Sequence, residues 1–278
     1  MKRPGLIDSP HRARKRFGQN FLVDRPTIAR IVEIIAPKPG ERIVEIGPGQ
    51  AALTEGLLAA LDAQMQTHDG LDVIEIDRDL VARLRVGFPP ERVRVHEADA
   101  LAFDFAALAA ARGGPLRVVG NLPYNISTPI LFHLLRFEPV IADMTFMLQK
   151  EVVERMAALP GDAARGRLSV MLQYRYRVER CFDVPPGAFR PIPAVDSSIV
   201  RLVPLGDARL RPRDEAHFAE IVSAAFSQRR KMIRRSLSGW IDAPRLRGLG
   251  IDPEARAETL SCAAFAAIAD ATWPADAP

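Results

Sequence analysis

The sequence predicts an α/β protein: a seven-stranded, mostly parallel sheet flanked by helices, followed by a small all-helical C-terminal domain. Three observations predict it. Short β-branched runs alternate with helix-patterned segments up to about residue 150. Four successive strand ends carry polar or glycine chemistry rather than plain turns, at Gly47/Gly49, Glu75, Asp99 and Asn121. A linker-like stretch, Pro204–Arg213, then separates this region from a helical tail. The expected domains are residues 1–205 and 206–278.

Residues 1–17 are basic and irregular, with Arg14, Lys15 and Arg16 closest to the first folded element. They read either as a solvated tail or as an arm that touches nucleic-acid phosphates and folds over a pocket at Gln19-Asn20-Phe21. A helix follows from Pro26, carried by Ile28, Ile31, Val32 and Ile35. Ile43, Val44 and Ile46 form the first strand of the sheet. Gly47 and Gly49 end it and let backbone approach a ligand where the next helix (Leu53, Leu57, Leu58, Leu61) begins. With Ala51 in the third small position, the dinucleotide fingerprint is only partly met.

The next strand, Leu71–Ile76, ends in acids. Glu75 at its tip suits the paired hydroxyls of a ribose. It lies farther past Gly49 than the ~20 residues usual for that position, because Gln64–Asp69 reads as an insertion. Asp77 and Asp79 read either as ribose ligands or as caps of the following helix. A third strand, Arg92–His96, leads to Asp99, an acceptor for an adenine amine. No lysine-bearing phosphate loop is present, and no basic residue near Glu75 is read as a partner for a 2′-phosphate. A nucleoside without phosphates points to S-adenosylmethionine rather than a nicotinamide dinucleotide.

The fourth strand (Leu116, Val118, Val119) ends at Gly120 and delivers Asn121-Leu122-Pro123-Tyr124. Pro123 fixes its own φ and biases Leu122 toward extended geometry, turning the Leu122 carbonyl outward. With the Asn121 side-chain oxygen it makes two acceptors for one exocyclic amine, above which Tyr124 offers an aromatic face. The implied chemistry is methylation of a nucleobase amine. An ordinary strand-to-helix turn is the competing reading.

Met144–Gln149 reads as a fifth strand and Lys150–Leu159 as a helix. Gly161–Gly166 reads as a mobile loop, Arg167–Arg175 as helix, and Arg177–Val184 and Ser198–Val203 as two closing strands. The strongest helical pattern is 214–239. There Phe218, Val222, Phe226, Ile233 and Leu237 share one face, while Arg230, Lys231, Arg234 and Arg235 share the other. No acid interrupts Arg229–Arg235, so a solvated salt-laced face is a weaker reading than phosphate contacts. The last residues are expected to fray.

Composition bounds the rest. The 278 residues carry 48% hydrophobic side chains and a formal charge of +4, so the distribution of charge matters more than its sum. Two cysteines in no motif, five scattered histidines and no metal spacing point to a reducing cytoplasm and no metal. No apolar signal core or membrane-spanning run is seen.

Six ordered segments give the sequence a resemblance. They are Arg16–Leu22, Glu45–Gly49, Glu75–Asp77, Asp99–Ala100, Asn121–Ser127 and Phe189–Ser197. Together they resemble the ribosomal RNA adenine N6,N6-dimethyltransferases, and most closely their bacterial small-subunit branch. The likeness runs from about Arg14 to Leu260, with Ala194 and Gln50 departing from the family pattern. It implies a Rossmann-like methyltransferase sheet and an S-adenosylmethionine pocket lined by Asn20, Leu22, Gly47, Glu75, Asp99, Ala100 and Asn121. It also implies Asn121, Leu122 and Tyr124 on the target amine, with Phe189 stacked on the opposite face of the base. The implied reaction is dimethylation of two adjacent adenosines near the 3′ end of 16S rRNA, within a small subunit or its precursor and linked to subunit biogenesis. A cytoplasmic monomer is expected. The alternatives are a 23S rRNA adenine dimethylase and a non-catalytic assembly or transcription factor.

Overall fold

The computed structural model describes residues 19–64, 68–228 and 230–274. Arg14, Lys15 and Arg16 lie outside the described residues. The chain opens with β1 (Phe21–Leu22), α1 (Arg25–Ile35), β2 (Arg42–Ile46), α2 (Ala52–Asp62), β3 (Leu71–Glu75), α3 (Arg78–Gly87), β4 (Val93–Glu97) and α4 (Phe105–Arg112). Then come β5 (Leu116–Asn121), α5 (Ser127–Leu135), β6 (Ile141–Gln149), α6 (Lys150–Ala157), α7 (Arg167–Gln173), β7 (Tyr176–Val184), β8 (Phe189–Arg190) and β9 (Ser197–Pro204). Four helices close it: α8 (Glu215–Phe226), α9 (Ile233–Ser236), α10 (Ala243–Gly248) and α11 (Cys262–Thr272).

Local chemistry explains the boundaries. Asp24 caps α1, accepting the Thr27 N–H at 2.9 Å, and Pro26 sits in its first turn. Asp77 caps α3 through the Asp79 N–H, and Asp104 caps α4. Asp77 is thus a helix cap, and Asp79 lies in the first turn of the helix it caps.

The seven-stranded sheet has the order β4-β3-β2-β5-β6-β9-β7. The pairs β4/β3, β3/β2, β2/β5 and β5/β6 are parallel, and β9 runs antiparallel to β6. Val44, Val73, Val118 and Phe146 are buried, as strands covered on both faces require. The chain leaves β2 toward β3 and β4, then crosses back to β5 and β6. That reversal opens a crevice at the carboxyl ends of β2 and β5, where sheets of this kind bind ligands. At Gly120 an added Cβ would stand 2.4 Å from the Ile46 carbonyl oxygen, so only glycine lets β5 lie this close to β2. Apart from the sheet, β1 pairs antiparallel with β8, Leu22 opposite Phe189.

The chain divides into two compact units. One holds the described residues up to Lys150 with Arg180–Leu202; the other holds Glu151–Glu179 with the described residues from Val203 onward. The second unit is helical around Tyr174 and Phe218, whose ring centroids lie 4.7 Å apart.

Two expectations for the second unit need correction. The 161–166 segment is tied down rather than loose. The Gly161 N–H donates to the Glu258 carbonyl (2.9 Å), and the fully buried Arg165 guanidinium donates to the Ala158 carbonyl (2.8 Å) and the Gln173 side chain (2.9 Å). The helix expected over 214–239 is broken, ending at Phe226 and resuming for one turn at Ile233. The Ile233 N–H bonds the Ala255 carbonyl (2.7 Å), the Arg234 N–H bonds the Pro253 carbonyl (3.2 Å), and Met232 bridges Arg256. One continuous helix would forfeit these bonds and set Arg230 against Arg234, and Lys231 against Arg235, at the unfavourable i,i+4 spacing. The four cations therefore do not form one helical stripe. Arg230, Lys231 and Arg235 are exposed, and Arg234 lies 3.6 Å from Glu254. Among the described residues no helix is long and apolar enough to cross a membrane.

Candidate functional site: a cavity at the carboxyl edge of the sheet

A cavity of ≈ 260 Å³ opens at the crevice. All seven residues expected in the donor pocket line it (Asn20, Leu22, Gly47, Glu75, Asp99, Ala100 and Asn121), and so do Leu122 and Tyr124.

The turn after β2 has Gly47 at φ +67° and Gly49 at φ +55°. An added Cβ at Gly49 would also press on the Phe21 ring at 3.0 Å. Glycine there serves both the left-handed backbone and the closeness of the β1 segment. Glu75 is 6% exposed. One carboxylate oxygen accepts the N–H groups of Ile76 (3.0 Å) and Asp77 (2.9 Å), and the other lies 3.4 Å from the Gly49 N–H. Burial raises its pKa, with these three bonds opposing. Asp99 accepts the Leu101 N–H at 2.9 Å, which holds its carboxylate at the rim.

Asn121 sits at the end of β5, and its Nδ2 donates to the Asn20 backbone carbonyl at 3.0 Å. A carbonyl only accepts, so the amide nitrogen must face Asn20 and the amide oxygen must turn the other way. The segment before β1 thereby sets which atom of the Asn121 amide is left as an acceptor. Gln19 fastens the same segment, its Nε2 donating to Asp77 at 3.2 Å. The Leu122 N–H donates to the Met147 carbonyl (3.2 Å), anchoring the tetrad on β6. Tyr124 is half-buried, with its hydroxyl 2.7 Å from Ser197 Oγ, and burial raises its pKa.

Phe189 is the exception. Its side chain is fully buried in the core cluster with Leu22, Ile31 and Ile199, and it does not line the cavity. A ring without exposed surface presents no face to a base, so stacking by Phe189 is not what this arrangement provides. Its pairing with Leu22 through the β1/β8 ribbon turns it inward, a long-range fact the proline-rich loop sequence did not reveal.

Glu45 is a cavity-lining residue that the strand pattern hid. It is 2% exposed, lines the cavity, and accepts the Thr54 hydroxyl at 2.5 Å. Burial lifts its pKa to about 7, against the Thr54 bond and with a further push from Glu75. An acid inside the run Ile43-Val44-Glu45-Ile46 was the available signal. Ile76 also lines the cavity, 47% exposed although apolar. Among the described residues that line the cavity there are three carboxyl groups (Glu45, Glu75, Asp99) and no lysine, arginine or histidine. Such a wall repels phosphates and favours a ligand with positive charge.

A family model described as ribosomal RNA adenine dimethylase matches residues 10–272. The chain belongs to that family. Among its dimethylase relatives, the ribosomal RNA small subunit methyltransferase A of Aromatoleum aromaticum is 58% identical over 260 residues, covering 94% of each chain. The protein of the same name from Laribacter hongkongensis is 54% identical over 257 residues, covering 92% of this chain and 95% of its own. Among solved structures, the 23S rRNA methyltransferase ErmE aligns with TM-score 0.70 and 27% identity, over 91% of this chain and 99% of its own. A dimethyladenosine transferase from Plasmodium falciparum aligns with TM-score 0.72 and 24% identity, covering 89% and 95%, and so supports the fold. No group of three or more metal-ligating side chains occurs among the described residues of this dimethylase-family chain.

Proposed function

We propose that this chain transfers methyl groups from S-adenosylmethionine to the N6 amines of two adjacent adenosines near the 3′ end of 16S rRNA, linked to small-subunit biogenesis. The observation that carries it is the Asn121 amide. The Asn20 carbonyl orients it at the edge of a cavity walled by carboxyl groups and without cations.

The donor's electrophilic methyl sits on a positively charged sulfonium. Glu75, held by backbone N–H groups, has the acceptors to take the ribose hydroxyls. Gly47 and Gly49 let the backbone close on the donor, and Asp99 with the Ala100 backbone would take the adenine edge. Asn20 and Leu22 complete the wall. The buried carboxyl of Glu45 and that of Glu75 suit a cation, which supports this donor over a nucleotide phosphate.

The target adenine leaves its stack, at a cost of a few kcal/mol, and rests on the Tyr124 ring. Such stacking returns ~1–3 kcal/mol. The Asn121 oxygen and the Leu122 carbonyl accept the two amine hydrogens. This fixes the amine and localises its lone pair, which conjugation otherwise spreads into the ring. Positioning then supplies most of the rate effect, with no metal and no strong nucleophile required. The exposed cations Arg230, Lys231 and Arg235 in the 206–278 helical domain, together with Arg14, Lys15 and Arg16 of the N-terminal arm, are proposed to meet RNA phosphates. We place the chain in the cytoplasm as a monomer; its cysteines Cys181 and Cys262 are not joined in a disulfide. The 54–58% identity to small-subunit methyltransferases, against 27% to a 23S enzyme, favours 16S rRNA as substrate.

The test is transfer of labelled methyl from S-adenosylmethionine to small subunits that lack adenine methylation, with nucleoside analysis. Dimethyladenosine in 16S rRNA is the expected product. Asn121→Ala should lower transfer at least ~100-fold, as loss of a placed polar contact to the reacting group does, with donor affinity within a few-fold. Near wild-type transfer by that variant would remove the assigned role. Donor binding with no transfer by the wild type would leave an RNA-binding assembly factor.

A further inference from the structure

The hydrogen bond between Tyr124 and Ser197 joins two parts of the sheet edge that are far apart in sequence. Tyr124 stands on the turn after β5 and is not itself in a helix or strand. The backbone of that turn is held locally: the Ile126 N–H and the Ser127 hydroxyl both donate to the Pro123 carbonyl, at 3.1 Å each. Neither bond touches the Tyr124 side chain. Its hydroxyl instead meets Ser197 Oγ at 2.7 Å, a distance typical of a good O–H···O bond.

Ser197 is a rigid partner. It is fully buried and is the first residue of β9, in register with Gln149 of β6. The residue before it is fixed too, since the Lys150 N–H donates to the Asp196 carbonyl at 3.0 Å. The strands β5, β6 and β9 are adjacent, so this bond spans three strands at the carboxyl edge and pins a side chain whose backbone lies on a turn.

We propose that Ser197 is a positioning residue for methyl transfer: it locks the Tyr124 side chain in the one orientation that presents its ring as the platform for the target adenine. This rests on the dimethylase reading above. Two consequences follow from the geometry. The Tyr124 hydroxyl is engaged with Ser197, so what the tyrosine offers a base is its ring face. Losing either hydroxyl frees the ring to swing about χ1, so that fewer encounters find the amine aligned with Asn121. The cost falls on kcat, while donor binding, which does not use this bond, is unchanged.

The test is a double-mutant cycle with Ser197→Ala, Tyr124→Phe and the pair, read as kcat and KM on small subunits, with each variant's Tm recorded. Each single change should lower kcat about five- to tenfold, the size of one hydrogen bond. The double variant should match the singles, because both remove the same bond, and donor KM should stay within twofold. Losses that multiply in the double variant, or a wild-type kcat for Ser197→Ala, would overturn the proposal. A second measurement needs no substrate: three-bond couplings across χ1 of isotope-labelled Tyr124. One rotamer is expected in the wild type and averaged rotamers in Ser197→Ala; a single rotamer in both overturns the lock. If the wild type methylates no RNA, the dimethylase reading fails, and the couplings still decide whether Ser197 fixes this ring.

Discussion

Replacing Glu45 by Gln should make the protein more stable in alkali and flatten its stability profile. Glu45 is 2% exposed on β2, where burial disfavours its charged form; the Thr54 hydroxyl offsets part of that and Glu75 adds repulsion. Its pKa rises from an ordinary 4.5 to about 7. A group whose folded pKa lies above its unfolded one stabilises the native state fully below the unfolded value. That stabilisation is lost as pH climbs through the folded value, because the native state binds more protons in between. The interval from 4.5 to about 7, at about 1.4 kcal/mol per pH unit, amounts to about 3 kcal/mol. Gln keeps an acceptor for Thr54 and cannot ionise. Urea unfolding of both proteins without donor, from pH 5 to 8, is the assay. Glu75 titrates in both and largely cancels in the difference. That difference should move in the variant's favour by about 2–3 kcal/mol across the range. A difference constant within about 0.5 kcal/mol, the spread of ordinary surface substitutions, would show that Glu45 is ionised throughout and would refute the argument from burial.

The same carboxyl links donor binding to pH. A cationic donor should drive Glu45 to ionise, releasing about half a proton per molecule at pH 7; calorimetry in buffers of different ionisation enthalpy reads the release, which Glu45→Gln should abolish. Phe189→Ala should cost about 3–5 kcal/mol, as an emptied aromatic site in a core does, while Phe189→Leu should keep transfer per folded molecule. A Leu variant with wild-type Tm and no transfer would restore the stacking role. Reversing Arg230, Lys231 and Arg235 to Glu should weaken RNA binding and flatten its salt dependence, by a slope of about 0.7–0.9 for each phosphate no longer neutralised. An unchanged slope would return these side chains to a solvated surface.

The sheet and the wall of the site were legible in the sequence because their causes are local. Strands covered on both faces are mostly apolar, so Ile43–Ile46, Leu71–Ile76 and Leu116–Val119 declare themselves even with Glu45, Asp72, Glu75 and Arg117 among them, and the helices between them carry their own periodicity. Parallel strands in such a sheet bring their ends to one edge. The glycines, Glu75, Asp99 and the Asn121–Tyr124 tetrad could therefore be assigned to one pocket from order alone, and they line one cavity. What the tertiary structure decided depends on partners distant in the chain. Asn20 reaches Asn121 and Tyr124 reaches Ser197 across the folded edge, and pairing with Leu22 turns Phe189 inward. Glu45 owes its raised pKa to burial beside Glu75. The helix expected through Leu237 stops at Phe226, where backbone bonds from 232–234 to 253–256 outweigh a periodicity that would have carried it on. Pattern and propensity are properties of neighbouring residues; orientation, burial and ionisation belong to whatever the fold brings alongside.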